Sequence, residues 1–224
     1  MQKEQYNDDD MKAMLCFFML VRTVTSAVNR LPAYFLSPAS IRKVMYELHP
    51  SVCTPTIEHC VPQSMYAPAD RWVARDMHGL MCLPSQLNLH RSNYKLRPEP
   101  AADPGDGGWQ AVGEGGHALK HTRRRLFVPP PLYRGMYARG VGYFVLTYPD
   151  YAAAVHARVL DFEHLLEWSL AHPPSHQEKV AHHAIAAIQE NTNPFHVDVD
   201  DAAQALYTVY VNLVTQVDVF PTTS

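Results

Sequence analysis

The C-terminal third of the sequence constrains the fold most strongly, because residues 150–219 carry a regular helical pattern with clear start and stop signals. Apolar residues recur every three or four positions after Asp150, which places them on one helix face: Val155, Val159, Phe162, Leu166 and Leu170. Pro173 and Pro174 end this helix, because proline lacks the N–H that a continuing helix needs. The pattern predicts three consecutive helices with roughly antiparallel neighbours.

Capping signals mark where the second and third helices of this unit begin. Ser175 is followed three residues later by Glu178, which is the spacing of a capping box. The third helix follows Asp198 and Asp200, either of which can accept the free N–H groups of its first turn. Asp150 has the same predicted role for the first helix.

The N-terminal half is less regular. A helix is predicted over residues 9–29, apolar around much of its circumference, and another begins at Ser37 and ends at His49. The prolines in residues 51–71 indicate a segment that lies extended over a surface. Residues 71–83 regain apolar character, and a short helix is predicted there.

The middle of the chain changes composition. Residues 97–118 are rich in Pro and Gly, which predicts a flexible loop or linker. Val141–Tyr148 is the best strand candidate, paired either with Leu126–Val128 as a hairpin or with a strand from another chain. The predicted fold is mainly α, with a C-terminal three-helix unit, two N-terminal helices, one short strand or hairpin, and long irregular connections. The predicted regions are 1–96, 97–118, 119–149 and 150–224.

Charge and cysteine content limit the class of protein. A net charge of -3 gives no general attraction to nucleic acid or anionic membranes. Four scattered cysteines do not resemble a secreted disulfide scaffold, so a reducing, intracellular location is expected. The longest apolar run, residues 14–21, is too short to span a bilayer, although peripheral membrane association stays open. The acidic residues 8–10 are untypical of a secretory signal peptide. A targeting sequence that has been removed, or one inside the chain, stays an open alternative.

Histidine and cysteine side chains are the weak candidates for metal ligands: His49, Cys53, Cys60, His164 and His176. Zinc sites usually combine two close pairs of thiolate or imidazole ligands, and the spacing here does not match that arrangement. An HExxH pattern is also absent from the sequence. No cofactor is therefore predicted, and structural or solvent-facing roles are favoured for these residues.

A basic run at Arg123, Arg124 and Arg125 is the weak candidate for nucleic-acid contact. The run lacks the interleaved aromatic residues of a single-strand binding surface. A solvated face, or one that pairs with acidic groups, is favoured.

The sequence shows no assembled catalytic signature, and its irregular segments suggest that neighbouring chains complete the fold. The predicted function is therefore a non-catalytic accessory subunit that binds other protein subunits of a large intracellular assembly. A mitochondrial respiratory or ATP-synthase complex is one candidate assembly. Two alternatives are a metal-dependent enzyme that uses the His-rich helical face, and a ribonucleoprotein or viral-particle component that contacts nucleic acid through the arginine run.

Overall fold

The computed structural model describes residues 36–100 and 108–217, and these residues form a mainly α protein with two small sheets. This confirms the predicted fold class, while the helix predicted at residues 9–29 lies outside the described residues. The α-helices of the described part are α1 (Pro38–Leu48), α2 (Ser85–Arg91), α3 (Pro131–Thr147), α4 (Ala152–Arg158), α5 (Phe162–Ala171), α6 (His176–Gln189), α7 (Pro194–Val197) and α8 (Val199–Val217). Its strands are β1 (Pro55–His59), β2 (Leu80–Pro84), β3 (Lys95–Leu96), β4 (Trp109–Val112), β5 (Ala118–His121) and β6 (Leu126–Val128).

Helix α1 forms as its local sequence predicts. The Ser37 hydroxyl accepts a hydrogen bond from the Ser40 N–H at 3.1 Å, and proline occupies the first helical turn. The buried face repeats at helical spacing: Ile41, Val44, Met45 and Leu48. The predicted start and apolar stripe of this helix are confirmed.

Strands β1 and β2 pair antiparallel, with Pro55 opposite Pro84 and His59 opposite Leu80. Helix α2 follows β2 directly and packs against both strands. We call residues 55–59, 80–84 and 85–91 the ββα unit. The prediction of a surface-extended segment at 51–71 missed this pairing, since Pro55 is the first residue of β1, where proline is tolerated, and Pro62 and Pro68 lie at the starts of 3-10 turns.

The connection between β1 and β2 consists mainly of 3-10 turns, at Pro68–Arg75 and Met77–Gly79, where one short helix was predicted. The Asp76 carboxylate fixes the second turn by accepting a hydrogen bond from the His78 N–H at 3.1 Å. Its other oxygen accepts hydrogen bonds from the hydroxyls of Tyr143 and Tyr148 at 2.8 and 2.6 Å. Buried Asp76 thereby ties the start of β2 to helix α3.

The predicted strand at Val141–Tyr148 is wrong, because its residues belong almost entirely to helix α3. This helix is buried on nearly every side, so its aromatic and β-branched residues show no amphipathic period to distinguish them from a buried strand. A Cβ atom at Gly140 would overlap the Cys60 Sγ, so glycine permits the close contact between α3 and the end of β1.

A second sheet has the strand order β3-β6-β5-β4. Leu126–Val128 is a strand, but it pairs antiparallel with β5 and parallel with β3 rather than with residues of α3. Strand β4 lies inside the predicted linker, where it pairs with β5 along the full length of both. The Pro/Gly-rich composition therefore concealed a short hairpin.

The C-terminal helices follow the predicted order, although the first predicted helix is two helices, α4 and α5, separated by Val159–Asp161. The Ser175 hydroxyl accepts the Glu178 N–H at 3.1 Å, which confirms the cap of α6. The Glu178 side chain binds Arg139 of α3 instead of returning to the Ser175 N–H, so half of the capping box is replaced by a tertiary contact.

Asp198 caps the last helix, since its Oδ1 accepts the N–H groups of Asp200 and Asp201 at 3.1 Å each. Among the described residues, no helix combines the length and the apolar character that crossing a bilayer requires. The division of the chain into four regions stays a prediction.

Candidate active site

His59 lies at the edge of the ββα unit as the last residue of β1. Its Nε2 lies 3.1 Å from the carbonyl oxygen of Ala74, and a carbonyl can only accept a hydrogen bond. The ring proton is therefore held on Nε2, and Nδ1 carries the free lone pair. The amide group of the exposed Gln63 lies 2.7 Å from Nε2 and 3.4 Å from Nδ1. An amide nitrogen cannot bond a protonated Nε2, so this tautomer requires the amide oxygen of Gln63, rather than its nitrogen, to face Nε2.

The surroundings of His59 favour its neutral form. Burial lowers the pKa of the imidazole, the hydrogen bond to the Ala74 carbonyl opposes this by raising it, and the positive charge of Arg91 lowers it further. The net effect is a lowered pKa. The ring is therefore an unprotonated base at neutral pH.

Glu58 precedes this histidine and points to the interior, where the residue is 4 % exposed. Its Oε1 lies 3.0 Å from the Arg91 Nε and accepts a hydrogen bond from the Tyr137 hydroxyl at 3.3 Å. The Arg91 contact is an ion pair without hydrogen-bond alignment, since that Nε has no acceptor. Burial raises the pKa of the Glu58 carboxyl to about 7, although Arg91 opposes the rise.

Helix α2 contributes Asn88 and Arg91, which lie three residues apart on one helix face. The Asn88 amide nitrogen donates to the Thr56 hydroxyl at 2.6 Å and to the Ile57 carbonyl at 2.9 Å. These two bonds orient the amide so that its Oδ1 is left without a donor among the described residues. The Arg91 guanidinium donates to the Cys60 carbonyl at 2.9 Å and closes the end of β1 against α2.

Together these residues place a neutral imidazole, a carboxylate and a free amide oxygen on neighbouring positions of β1 and α2. The imidazole can take a proton from water. Amide and carboxylate oxygens are ligands that hard divalent cations prefer. The arrangement suits hydrolysis by an activated water molecule.

A second group of histidines lies elsewhere, around a cavity of about 40 Å³ whose lining includes His78, His182, His196 and Glu178. We call it the histidine cavity. The rings of His182 and His196 stack with centroids 4.5 Å apart, and both Nδ1 atoms are buried without a hydrogen-bond partner. Burial, with the neighbouring imidazoles, lowers the pKa of His182 to about 4 and that of His196 to about 2.

Of the weak metal candidates from the sequence, His49 and Cys60 both line the histidine cavity, and the other three lie apart from it. His49 is buried against the Met45 carbonyl, Cys53 is exposed, and Cys60 is buried, which raises its thiol pKa to about 12. His164 is half-buried beside Glu167, and His176 is exposed at the start of α6. In the described part of the chain, no group of three or more His, Cys, Asp or Glu side chains is arranged to hold a metal ion.

A family comparison decides what kind of site this is. The Endonuclease I family model matches residues 51–200, about two thirds of the chain. The chain belongs to the Endonuclease I family. No curated protein matches it. The matched range contains the whole ββα unit and helices α3 to α7, of which α3 contacts β2.

Family membership corrects the function predicted from the sequence. The prediction of a non-catalytic accessory subunit is wrong, because the Endonuclease I family indicates an enzyme of the nuclease class. Nothing in the fold or the family match supports membership of a mitochondrial complex. The intracellular location, the protein partners and the nucleic-acid contact by the arginine run stay predictions.

His59 was considered only as a possible metal ligand, and no catalytic role was predicted from the sequence for any of the candidate catalytic residues: Glu58, His59, Asn88 and Arg91. The available signal was weak. Glu58 and His59 stand together in a five-residue strand bounded by prolines, and Asn88 precedes Arg91 by one helical turn. Only the pairing of β1 with β2 brings these two signals together.

Proposed function

We propose that this protein is an endonuclease that hydrolyses internal phosphodiester bonds of nucleic acid at the ββα unit. The observation that carries the proposal is the placement of His59, with Nε2 3.1 Å from the Ala74 carbonyl oxygen at the edge of the ββα unit. The Ala74 carbonyl holds the proton on Nε2, and the free Nδ1 lies at the edge of the unit beside an exposed side chain. Membership of the Endonuclease I family supports the choice of substrate class.

His59 acts as the general base. Its Nδ1 removes a proton from a water molecule, and the oxygen of that water attacks the phosphorus atom as the bond to the leaving sugar oxygen breaks. Gln63 is exposed, so its amide can rotate away from the ring edge when substrate binds. The lowered pKa of His59 keeps the ring in the accepting form at neutral pH.

The donor set beside this base fits a hard divalent cation. Asn88 keeps Oδ1 free because its amide nitrogen is already bound to β1. Both contacts to Glu58 use Oε1, and no donor among the described residues reaches Oε2. Magnesium needs few protein ligands, because it keeps several water molecules and takes substrate phosphates as ligands. A cation held by the Asn88 Oδ1 would stabilise negative charge on the phosphate, and the Glu58 carboxyl would have to ionise to serve as a second ligand, since burial raises its pKa to about 7.

Arg91 is a positioning residue rather than a contact to substrate. Its guanidinium is 1 % exposed and is occupied by the carbonyls of Cys60 and Ser92 and by the Glu58 carboxylate. It holds the two residues that flank His59 in place. The buried Tyr137 hydroxyl adds a second contact from α3 to the same carboxylate.

Cleavage of closed circular DNA tests the proposal, because a circle has no ends and only internal cleavage opens it. The purified full chain with magnesium should convert the circle to nicked and linear forms, and a chelator should stop the reaction. His59→Ala should be inactive at the same protein concentration. The matched control is His183→Ala, since His183 is exposed on α6 and bonds only to its own helix.

An inactive wild-type protein on both circular DNA and circular RNA would overturn the proposal. So would a His59→Ala variant with wild-type cleavage. Circular dichroism of both variants should match the wild type, since His59 lies at the end of its strand and is only half-buried.

A further inference from the structure

The turn between β5 and β6, residues 122–125, presents three exposed arginines on a fixed backbone. The Arg124 N–H donates to the His121 Nδ1 at 3.2 Å, and the Arg125 N–H donates to the Thr122 carbonyl at 3.3 Å. Arg125 has a positive φ of 56°, and the Lys95 N–H holds its carbonyl at 2.9 Å. These hydrogen bonds fix the backbone conformation of the turn relative to the sheet.

Two cationic side chains contact the ring of one tyrosine, Tyr94, at the base of this turn. The Lys120 ammonium lies 4.8 Å from the centroid of the Tyr94 ring, and the Arg125 guanidinium lies 5.1 Å from it. Arg125 also donates to the side-chain oxygen of Asn93. A cation over an aromatic face keeps its full charge, so these contacts position the charges without neutralising them.

A carboxylate pairs with two other cations, one in β3 and one just after it. Asp161 pairs with Lys95 at 2.7 Å and with Arg97 at 2.8 Å. Among the side chains that the structure describes, which do not include that of Glu114, no carboxylate pairs with Lys120 or Arg125, and the contacts seen for these two cations are to neutral side chains. The acid-pairing role that the sequence favoured for this run is therefore not seen for Arg125.

The turn is close to the candidate active site. Asn93 and Tyr94 come just after helix α2, which carries Asn88 and Arg91. One helical turn from Asn88 to Arg91 and at most three extended residues to Tyr94 bound the distance between the Cα atoms of Asn88 and Tyr94 at about 15 Å. In duplex DNA that length corresponds to roughly four nucleotides along one strand.

We propose that Lys120 and the turn at residues 122–125 form a second binding site for the sugar–phosphate backbone of the nucleic acid, beside the bond that is cut. This proposal rests on the proposed nuclease function. The turn holds flanking phosphates by charge, and the ββα unit cuts. Because backbone contacts carry no base information, the turn adds affinity without sequence preference.

Salt-dependent binding tests this site separately from cleavage. The background is His59→Ala, which prevents cleavage, and the probe is a short fluorescein-labelled DNA duplex measured by anisotropy. We compare this background with a variant that adds Arg123→Ala, Arg124→Ala and Arg125→Ala, between about 50 and about 200 mM NaCl. The slope of log Kd against log salt should fall by about one for each phosphate contact removed.

The control variant removes three exposed positive charges from other surfaces, with Arg42→Ala, Lys43→Ala and Lys179→Ala. It should keep the salt slope of the background. Changing the three turn arginines to lysine should retain most of the slope, which a purely structural role of the guanidinium groups would not allow.

An unchanged slope in the turn variant, or an equal loss in the control variant, would overturn the inference. Failure of the wild type to cut circular DNA would instead count against the proposed function. A loss of slope in the turn variant of a protein that does cut DNA supports both.

Discussion

Two regions of this molecule place histidine beside a buried glutamate–arginine pair, and only one has the features of an active site. In the ββα unit, Glu58 and Arg91 lie next to His59, whose Nε2 is bonded and whose Nδ1 faces the exposed Gln63. In the histidine cavity, Glu178 pairs with Arg139, and the adjacent His196 has its Nδ1 enclosed.

The difference shows that a cluster of histidines is not sufficient for catalysis. Each region lowers the pKa of a histidine through burial. The ββα unit also fixes the tautomer with a carbonyl and leaves the second nitrogen within reach of substrate. In the cavity, no carbonyl of the described residues fixes the tautomer of His182 or His196, and neither ring has a nitrogen within reach of substrate. These histidines therefore affect the stability of the fold rather than catalysis. Four changes test this contrast, from the largest expected effect to the smallest.

Loss of the His59 imidazole should have the largest effect on activity. His59→Ala removes the general base, so kcat/KM for DNA cleavage should fall by about 10² to 10⁴. His182→Phe keeps a ring of similar size in the cavity and should leave kcat/KM within about threefold of wild type. Initial rates on circular DNA measure both. Comparable losses in the two variants would break the contrast between the regions.

Loss of Arg139 should have the largest effect on stability. Its guanidinium makes two 2.7 Å bonds to Glu178 and one of 2.6 Å to the His172 carbonyl, and the side chain is 2 % exposed. Arg139→Ala leaves a carboxylate with little access to water, which should cost about 3–5 kcal/mol in free energy of unfolding. Urea titration measures this cost.

The control for Arg139 replaces both partners, with Arg139→Met and Glu178→Leu in one protein. Because no buried charge then remains unpaired, this variant should lose much less than the single change. A double variant as unstable as Arg139→Ala would show that packing, not charge, explains the loss.

Acid should destabilise the cavity. His182 and His196 have folded pKa values of about 4 and about 2, below the unfolded value of 6.5, so the folded state favours their neutral form. Their stabilising effect is complete above pH 6.5 and is lost as the pH falls towards the folded values. Each should cost about 1.4 kcal/mol per pH unit between roughly pH 5.5 and pH 4.5.

Urea titrations across that pH range should show that the free energy of unfolding of His182→Phe falls less steeply with decreasing pH than that of the wild type. The difference should be the contribution of one histidine, about 1.4 kcal/mol per pH unit. His176→Phe is the matched control, because His176 is exposed on the same helix and is not among the groups that shift the pKa of His182 or His196, and the pH dependence of this variant should equal that of the wild type. Equal pH dependence in all three proteins would contradict burial as the cause.

The smallest expected effect is at the contact between α3 and the site. Tyr137→Phe removes a buried hydroxyl that donates to Glu58 at 3.3 Å, and the expected loss of unfolding free energy is about 1 kcal/mol. Tyr210→Phe removes an exposed hydroxyl that donates to Glu163 at 2.8 Å, and stability should change by less than about 0.5 kcal/mol. Thermal unfolding of both variants would detect a reversal of this order.

Local signals in the sequence predicted the parts of the fold that depend on neighbouring residues. The cap at Ser37, the stripe of α1 and the cap at Ser175 all involve residues within a few positions of each other. The apolar period of residues 150–219 likewise predicted the C-terminal helices in order, apart from the break between α4 and α5.

The site depends on contacts between distant residues, which no local pattern encodes. Thr56 pairs with Leu83 across the strands, and Asn88 binds Ile57, 31 positions earlier in the chain. Short strands bounded by proline resemble loops when each is considered alone. The secondary structure of α3 was predicted wrongly for a different reason. A helix that is buried on all sides shows no alternation of apolar and polar faces.

The glycine at position 140 makes the catalytic edge sensitive to the interior of the molecule. Its missing methyl group lets α3 approach Cys60, whose neighbour in the chain is the proposed base. An alanine there would require the Cys60 side chain, the end of β1 or helix α3 to shift, and a shift of β1 would move His59. Mutational surveys should therefore find defective enzymes at this helix position even when the protein is still folded.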